Sequence, residues 1–194
     1  MKRLIFLLFF VNTILISLAQ DKSEHLSFKG VPIDGTLNEY VAKMKAAGFS
    51  YLGTQDGTAI LQGDFAGFKN CTVGVSMLKA VNVVSTIGVI LPSHDNWSSL
   101  ERDYDHLKSM LTQKYGEPTE VMEQFQGRTN PNTNNEKLHE LMMDRCTWYT
   151  TFETTKGNIQ LSLQKGDFGQ YFVLLKYYDK INTDTVRSAA MDDL

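Results

Sequence analysis

The sequence predicts an α+β protein built from two helix-plus-antiparallel-sheet units, with the helices packed on one face of the sheet. Two capped amphipathic segments are each followed by four segments of alternating polarity, and turn-forming residues separate those segments. Such alternation gives a strand one buried and one wetter face, as antiparallel sheets allow. We therefore expect a first α-β4 unit over residues 20–94 and a second over residues 95–181, which raises the possibility of an internal duplication.

Residues 1–19 precede the first unit and have the plan of a secretory signal peptide. Lys2 and Arg3 begin a short apolar run, and Ser17 and Ala19 supply the small residues that a cleavage site needs. The alternative is a transmembrane anchor, which the shortness of the run disfavours. We expect an exported protein, periplasmic or extracellular.

The composition excludes some classes of partner. The 194 residues contain 19 basic and 22 acidic side chains, for a formal charge of −3. Loss of the first 19 residues would shift the charge to about −5, and binding to nucleic acid would instead call for a basic face. No later apolar run approaches the length of a membrane span. We expect no nucleic-acid partner and no stable membrane insertion after cleavage.

The first helix is predicted from the phrase "GTLNEYVAKMKAAGF". Thr36 and Glu39 have the spacing of a capping box, in which each side chain satisfies a backbone N–H of the first turn. Gly48 ends the helix because glycine readily adopts the left-handed conformation found at many helix ends. The apolar stripe consists of Leu37, Tyr40, Val41 and Met44.

The second helix is predicted over roughly 98 to 115. Ser98 and Glu101 have the spacing of a second capping box, while Gly116 and Pro118 end the helix. Its apolar stripe consists of Leu100, Tyr104, Leu107 and Leu111.

Strands follow each helix, because the apolar period changes there from 3.6 to 2. The predicted strands are 50–54, 58–63, 69–79 and 82–91 in the first half, and 119–125, 144–154, 157–165 and 170–179 in the second. The Asn-rich segment 126–137 is predicted to be a mobile loop. The polar tail 182–194 is expected to fray, with a short helix around 185–191 as the alternative.

Two tandem units of this kind resemble the architecture of β-lactamase-inhibitor-like proteins and PepSY-type modules. The stretch "HLSFKGVPIDGTLNEYVAKMKAAGF" also resembles small secreted bacterial proteins of unknown function. The resemblance covers roughly residues 25 to 180. It implies that the outer face of the sheet and its loops contact a partner protein.

No segment has a complete catalytic or metal-binding motif. "HELMM" at 139–143 lacks the second histidine of a zinc protease motif and is interpreted as the lead-in to the next strand. "GVSML" at 74–78 lacks the second glycine of a nucleophile elbow and lies within a strand. A pocket that joins His94 or His106 to paired carboxylates would indicate an enzyme. We therefore expect no enzymatic activity, no cofactor and no metal.

The two cysteines and three carboxylates have simpler explanations than catalysis. Cys71 and Cys146 could form one disulfide in an exported protein, or remain as two buried thiols. Glu117, Glu120 and Glu123 lie close together in the sequence and are interpreted as a solvated charge cluster.

The expected binding site is the sheet face that the helices leave uncovered. By alternation, five side chains should lie there: Tyr149, Gln160, Gln164, Lys176 and Tyr178. Aromatic rings in a polar frame are typical of binding surfaces, because rigid rings bury area at low entropic cost. We expect binding to a protein partner in the cell envelope, with a carbohydrate or small ligand as the alternative. The preference of Tyr and Thr for strands could also explain the pattern.

Overall fold

A computed structural model describes residues 24–78, 82–127, 130–166 and 169–192, so the expected signal peptide at 1–19 lies outside the described residues. The described part contains four helices, a two-stranded hairpin and an eight-stranded antiparallel sheet. The elements of the first half are β1 (Ser27–Phe28), β2 (Val31–Pro32), α1 (Leu37–Ala46), β3 (Ser50–Gln55), β4 (Thr58–Phe65), β5 (Phe68–Leu78) and β6 (Val83–Ile90). Those of the second half are α2 (Trp97–Tyr115), β7 (Glu120–Phe125), α3 (Asn134–Met142), β8 (Cys146–Thr154), β9 (Gly157–Lys165), β10 (Tyr171–Asp179) and α4 (Lys180–Asp192).

The large sheet confirms the α+β class and the eight predicted strands. Its strand order is β3-β4-β5-β6-β10-β9-β8-β7, and every neighbouring pair is antiparallel. Each half of the chain therefore forms a four-stranded meander, and the last strand of one meander pairs with the last strand of the other. In that central pair, Tyr177 lies opposite Ile87 and Lys176 lies opposite Gly88.

The core lies between one face of the large sheet and the helices. α1 contributes Tyr40 and Met44 to the core, and α2 contributes an apolar stripe that begins at Trp97. The alternate inward residues of the central strands are fully or almost fully buried, among them Leu61, Val73, Val75, Ile87, Val89, Leu161, Val173 and Leu175. α1 contacts β3, β5 and β6, whereas α2 contacts β8, β9 and β10, so each helix covers the meander that follows it.

Helices α1 and α2 begin at different kinds of cap. The predicted capping box of Thr36 and Glu39 is present at α1. The predicted box at Ser98 is wrong, because α2 is capped by Asn96, whose side-chain oxygen accepts a hydrogen bond from Ser99 N at 2.9 Å. The hydroxyl of Ser98 instead donates to Asn134 Oδ1 at 3.0 Å and thereby connects α2 to α3.

Two helices occupy segments for which the sequence analysis expected irregular chain. α3 begins within the predicted mobile loop 126–137, so that prediction is wrong from Asn134 onwards. The "HELMM" segment does lead into β8, and its first four residues are helical. Its cap is a capping box of Thr133 and Glu136. α4 replaces the predicted frayed tail and runs from Lys180 to Asp192, longer than the alternative short helix.

Of the two alternatives for the cysteines, the structure has two free thiols and no disulfide within the chain. Cys71 on β5 and Cys146 on β8 are both free thiols. Three strands separate β5 from β8 in the sheet, which places the two cysteines roughly 19 Å apart at about 4.8 Å per strand. A disulfide needs Cα atoms within about 7 Å of each other. Burial raises the pKa of both thiols, that of Cys146 to about 12, so both remain protonated near neutral pH.

Candidate functional site

All five predicted site residues lie on the sheet face opposite the helices, which we call the open face. Lys176 of β10 lies directly opposite Gln160 of β9. Tyr178 occupies the next outward position along β10, and Gln164 lies opposite Phe172. Tyr149 of β8 lies opposite Ser162, which is the outward residue between Gln160 and Gln164. The β-sheet register therefore brings the five side chains onto three neighbouring strands.

The open face differs from the helix-covered face in exposure. Along β10, the inward residues Tyr171, Val173, Leu175 and Tyr177 are buried, and the outward residues Phe172, Leu174, Lys176 and Tyr178 are half-buried. Neighbouring side chains on an uncovered sheet face shield one another from solvent to about this extent. α4 borders this face at one end, where Tyr178, Asn158 and Arg187 line a pocket of about 440 Å³.

The hydroxyl of Tyr149 is held in place from the edge strand. It donates a hydrogen bond of 2.6 Å to Glu120 Oε1 on β7. This bond raises the pKa of the Tyr149 phenol, so the hydroxyl remains a neutral donor. On the other side of β7, Glu123 Oε1 accepts a hydrogen bond of 2.6 Å from Lys108 of α2. Glu120 and Glu123 are exposed, as predicted for a solvated cluster, and each is also paired with a neighbouring side chain.

A cleft of about 320 Å³ brings three of the five residues together. Tyr149, Gln160 and Gln164 line it with Trp148 and Lys165. The cleft forms because β8 and β9 pair only from Tyr149 to Thr154, so the strands diverge beyond that point. Lys176 and Tyr178 lie outside its lining. The site is thus a broad surface with one indentation rather than a single enclosed pocket.

Two buried polar atoms near this cleft have no hydrogen-bond partner among the described residues. They are the indole nitrogen Nε1 of Trp148 and the hydroxyl Oγ1 of Thr151. Most buried polar groups in proteins are paired, so these two atoms are exceptions. Thr151 lies on the open face, opposite Gln160 on one side and Glu120 on the other.

The first half of the chain also contributes to the open face, which we did not predict from the sequence. Along one row of the sheet, Ile60, Gly74, Gly88 and Lys176 lie side by side on four consecutive strands. The two glycines lack side chains and leave a shallow depression next to Leu174. Glycines at outward positions of alternating strands were a usable signal, but the long-range pairing that places them beside Lys176 was not visible.

The histidines form no site that resembles a catalytic one. His94 Nε2 lies 2.7 Å from Asp103 Oδ2, which ties the loop after β6 to α2. His106 packs edge-on against Phe68, and His139 faces Arg145 at 3.5 Å. Among residues 24–78, 82–127, 130–166 and 169–192, no three His, Cys, Asp or Glu side chains are grouped so that they could hold a metal ion.

Comparisons with other proteins add no family assignment. No protein-family model matches the sequence, and neither a curated protein nor a solved structure is significantly similar to it. Within the described part of the chain, no helix is both long and apolar enough to cross a membrane.

Proposed function

We propose that the protein is an exported, non-enzymatic binding module that contacts a protein partner in the cell envelope through its open sheet face. The observation that supports this proposal is the uncovered face itself, on which Tyr149, Gln160, Gln164, Lys176 and Tyr178 share one side of adjoining strands. We also propose that the chain consists of two tandem α-β4 units, since α1 and α2 each cover the meander that follows them.

The size of the open face favours a macromolecular partner over a small ligand. Seven strand-to-strand spacings of about 4.8 Å make the sheet roughly 34 Å wide. The central strands contain eight to eleven residues, so the face is roughly 30 Å long. A standard protein interface needs about 800 Å² on each partner, which this area exceeds.

The chemistry of the face also fits a protein interface. Leu174 and Ile90 lie next to each other near its centre, and Tyr149 and Tyr178 flank them. Lys176 lies between Leu174 and Tyr178 on β10, and Glu120 lies at the edge on β7. Protein interfaces likewise combine apolar and aromatic side chains with polar groups. Tyrosines in such positions contribute a large share of binding energy.

The experiment is capture of envelope proteins on the immobilised protein, followed by a quantitative binding measurement with the recovered partner. We expect the double variant Tyr149→Ala/Tyr178→Ala to lose the partner. The matched control is Tyr51→Ala, because Tyr51 is an exposed tyrosine on the edge strand β3. Equal affinity of the wild-type protein and the double variant for the partner would refute the proposal.

The second candidate function is binding of a carbohydrate or another small ligand in the cleft next to Tyr149. The observation that favours it is the cleft lined by Tyr149, Gln160 and Gln164. Amide groups can pair with sugar hydroxyls while the tyrosine ring packs on the sugar face. Glycan-array binding that disappears in Tyr149→Ala, together with no recovered protein partner, would favour this function over the first.

A further inference from the structure

A second cavity lies on the helix-covered side of the sheet, away from the open face. It has a volume of about 250 Å³ and lies between the β1–β2 hairpin, the turn from β4 to β5 and the C-terminal half of α2. Leu175 and Tyr177 of β10 line it from the sheet side.

The walls of this cavity are apolar. Leu107 and Leu111 are almost fully buried, whereas Met110 is 39% exposed. Phe65 and Ala66 complete the opposite wall. An apolar cavity with a few polar groups is the usual form of a small-molecule site. The volume lies just below the usual range of about 300–1,000 Å³ and suits one narrow chain rather than a fused-ring compound.

The charges at this cavity have a single sign. Lys29 and Lys114 belong to its lining, and no aspartate or glutamate does. Neither lysine forms an ion pair within 4.0 Å among the described residues. The Lys29 ammonium lies 6.0 Å from the Phe49 ring centroid, and that of Lys114 lies 4.9 Å from the Tyr115 ring centroid. Two unpaired cations on apolar walls favour an anionic ligand.

Tyr177 adds a buried neutral donor to the same cavity. Its side chain is only 4% exposed, and its hydroxyl makes no hydrogen bond to the described residues. Burial, and after it the neighbouring Tyr115 and Tyr40, raise the pKa of Tyr177 above its ordinary value of 10, so the hydroxyl keeps its proton. The hydroxyl is therefore a neutral donor that a ligand in this cavity can use.

We propose that this cavity binds an unbranched alkyl carboxylate of the fatty-acid class. The chain lies against Leu107, Met110 and Leu111, and the carboxylate accepts hydrogen bonds at the end marked by Lys114 and Tyr177. Lys29 on the opposite wall adds a second positive charge. This proposal is independent of the proposed function, because the two sites lie on opposite faces of the sheet.

The test is isothermal titration calorimetry with sodium decanoate below its micelle concentration. We expect saturable 1:1 binding to the wild-type protein. Lys29→Ala/Lys114→Ala should weaken it by at least about tenfold, since each lost charged hydrogen bond corresponds to about that factor. Tyr177→Phe should also weaken it. The matched control is Lys43→Ala/Lys45→Ala, two lysines of α1 outside the cavity lining, which should bind decanoate as the wild type does.

Three outcomes would overturn the proposal. They are absence of saturable decanoate binding, equal affinity in the Lys29→Ala/Lys114→Ala variant, and equal affinity for decyltrimethylammonium, which has the same chain and the opposite charge. Both altered lysines are exposed, so the variant should remain folded, which circular dichroism checks.

Discussion

The buried carboxylate of Asp179 lies 3.0 Å from the imidazole Nδ1 of His25, a residue 154 positions earlier in the chain. The same carboxylate accepts hydrogen bonds from Leu26 N at 2.7 Å and from Asn182 N at 3.0 Å. Asp179 therefore caps the N-terminal end of α4 and also holds His25 and Leu26 in place. The side-chain amide of Asn182 donates to Ile33 O and Val84 O, each at 3.0 Å. These two bonds connect α4 to β6 and to the residue that follows β2.

Asp179→Ala should destabilise the protein strongly. It would leave the buried N–H groups of Leu26 and Asn182 without acceptors, at a cost of roughly 2 to 4 kcal/mol. Urea unfolding measures this loss. The matched control is Asp184→Ala, because Asp184 is an exposed residue of the same helix and should change the free energy of unfolding by less than about 0.5 kcal/mol. Equal effects of the two changes would contradict the role assigned to Asp179.

Tyr104 and Thr150 should be energetically coupled. Their hydroxyl oxygens are 2.6 Å apart, and both side chains are fully buried. Either Tyr104→Phe or Thr150→Val leaves one buried hydroxyl unpaired and should cost roughly 1 to 2 kcal/mol. The double change removes both hydroxyls and should cost less than the sum of the single changes.

A double-mutant cycle from urea unfolding measures this coupling, and an interaction energy near zero would argue against it. The exposed pair of Tyr51 and Thr54, with hydroxyls 2.8 Å apart, is the matched control. Tyr51→Phe should have little effect there, because water can replace the lost partner.

The strands and the open face were predictable because alternation is a local property. Each outward position from Tyr149 to Tyr178 follows from period 2 alone, once one face is known to be buried. α3 was predictable in principle, since Thr133 and Glu136 have capping-box spacing, but the Asn-rich composition around them suggested a loop.

Other features depend on contacts between distant segments. The pairing of β6 with β10 places Gly88 beside Lys176, and no local pattern specifies which two strands pair. The sequence also gives no distance between Cys71 and Cys146, so it left a disulfide between them as an open alternative. The β1–β2 hairpin, with two residues in each strand, is too short for periodicity to reveal.

The stability of the protein should decrease in acid partly through Glu140. Arg145 binds both carboxylate oxygens of Glu140, at 2.9 and 2.7 Å, and thereby lowers the pKa of Glu140 below its ordinary value of 4.5. A lowered folded-state pKa contributes stability that is fully present above about pH 4.5 and is lost as the pH falls through the folded value.

Urea unfolding midpoints between about pH 6 and about pH 3 should therefore fall less steeply for Glu140→Gln than for the wild type. Glu117→Gln is the control, since Glu117 has no ion pair among the described residues and should leave the slope unchanged. An identical pH dependence of the wild type and Glu140→Gln would show that this pair does not contribute.

The two cysteines should be unreactive thiols in the folded protein. Cys71 is fully buried, and with its pKa at about 12 Cys146 is about one part in ten thousand thiolate at pH 8. Alkylation with iodoacetamide should be slow in the native state and should modify both cysteines in urea without added reductant. If both cysteines instead stayed unmodified in urea until a reductant was added, the two thiols would be joined in a disulfide.

Gly157→Ala should be the most damaging of the glycine changes. Gly157 has a φ of +151°, and an added Cβ would collide with the backbone carbonyl oxygen of Tyr178 on the neighbouring strand. A backbone atom within a paired sheet cannot move aside, so we expect the free energy of unfolding to fall by roughly 3 kcal/mol or more.

Gly67→Ala is the control, because it introduces the backbone strain of a positive φ without the steric clash. Gly67 has a φ of +89° with no atom within 4 Å of an added Cβ, and should cost only roughly 1 to 2 kcal/mol. Thermal unfolding compares the two variants, and an equal loss in both would mean that the contact with Tyr178 is not what requires glycine at position 157.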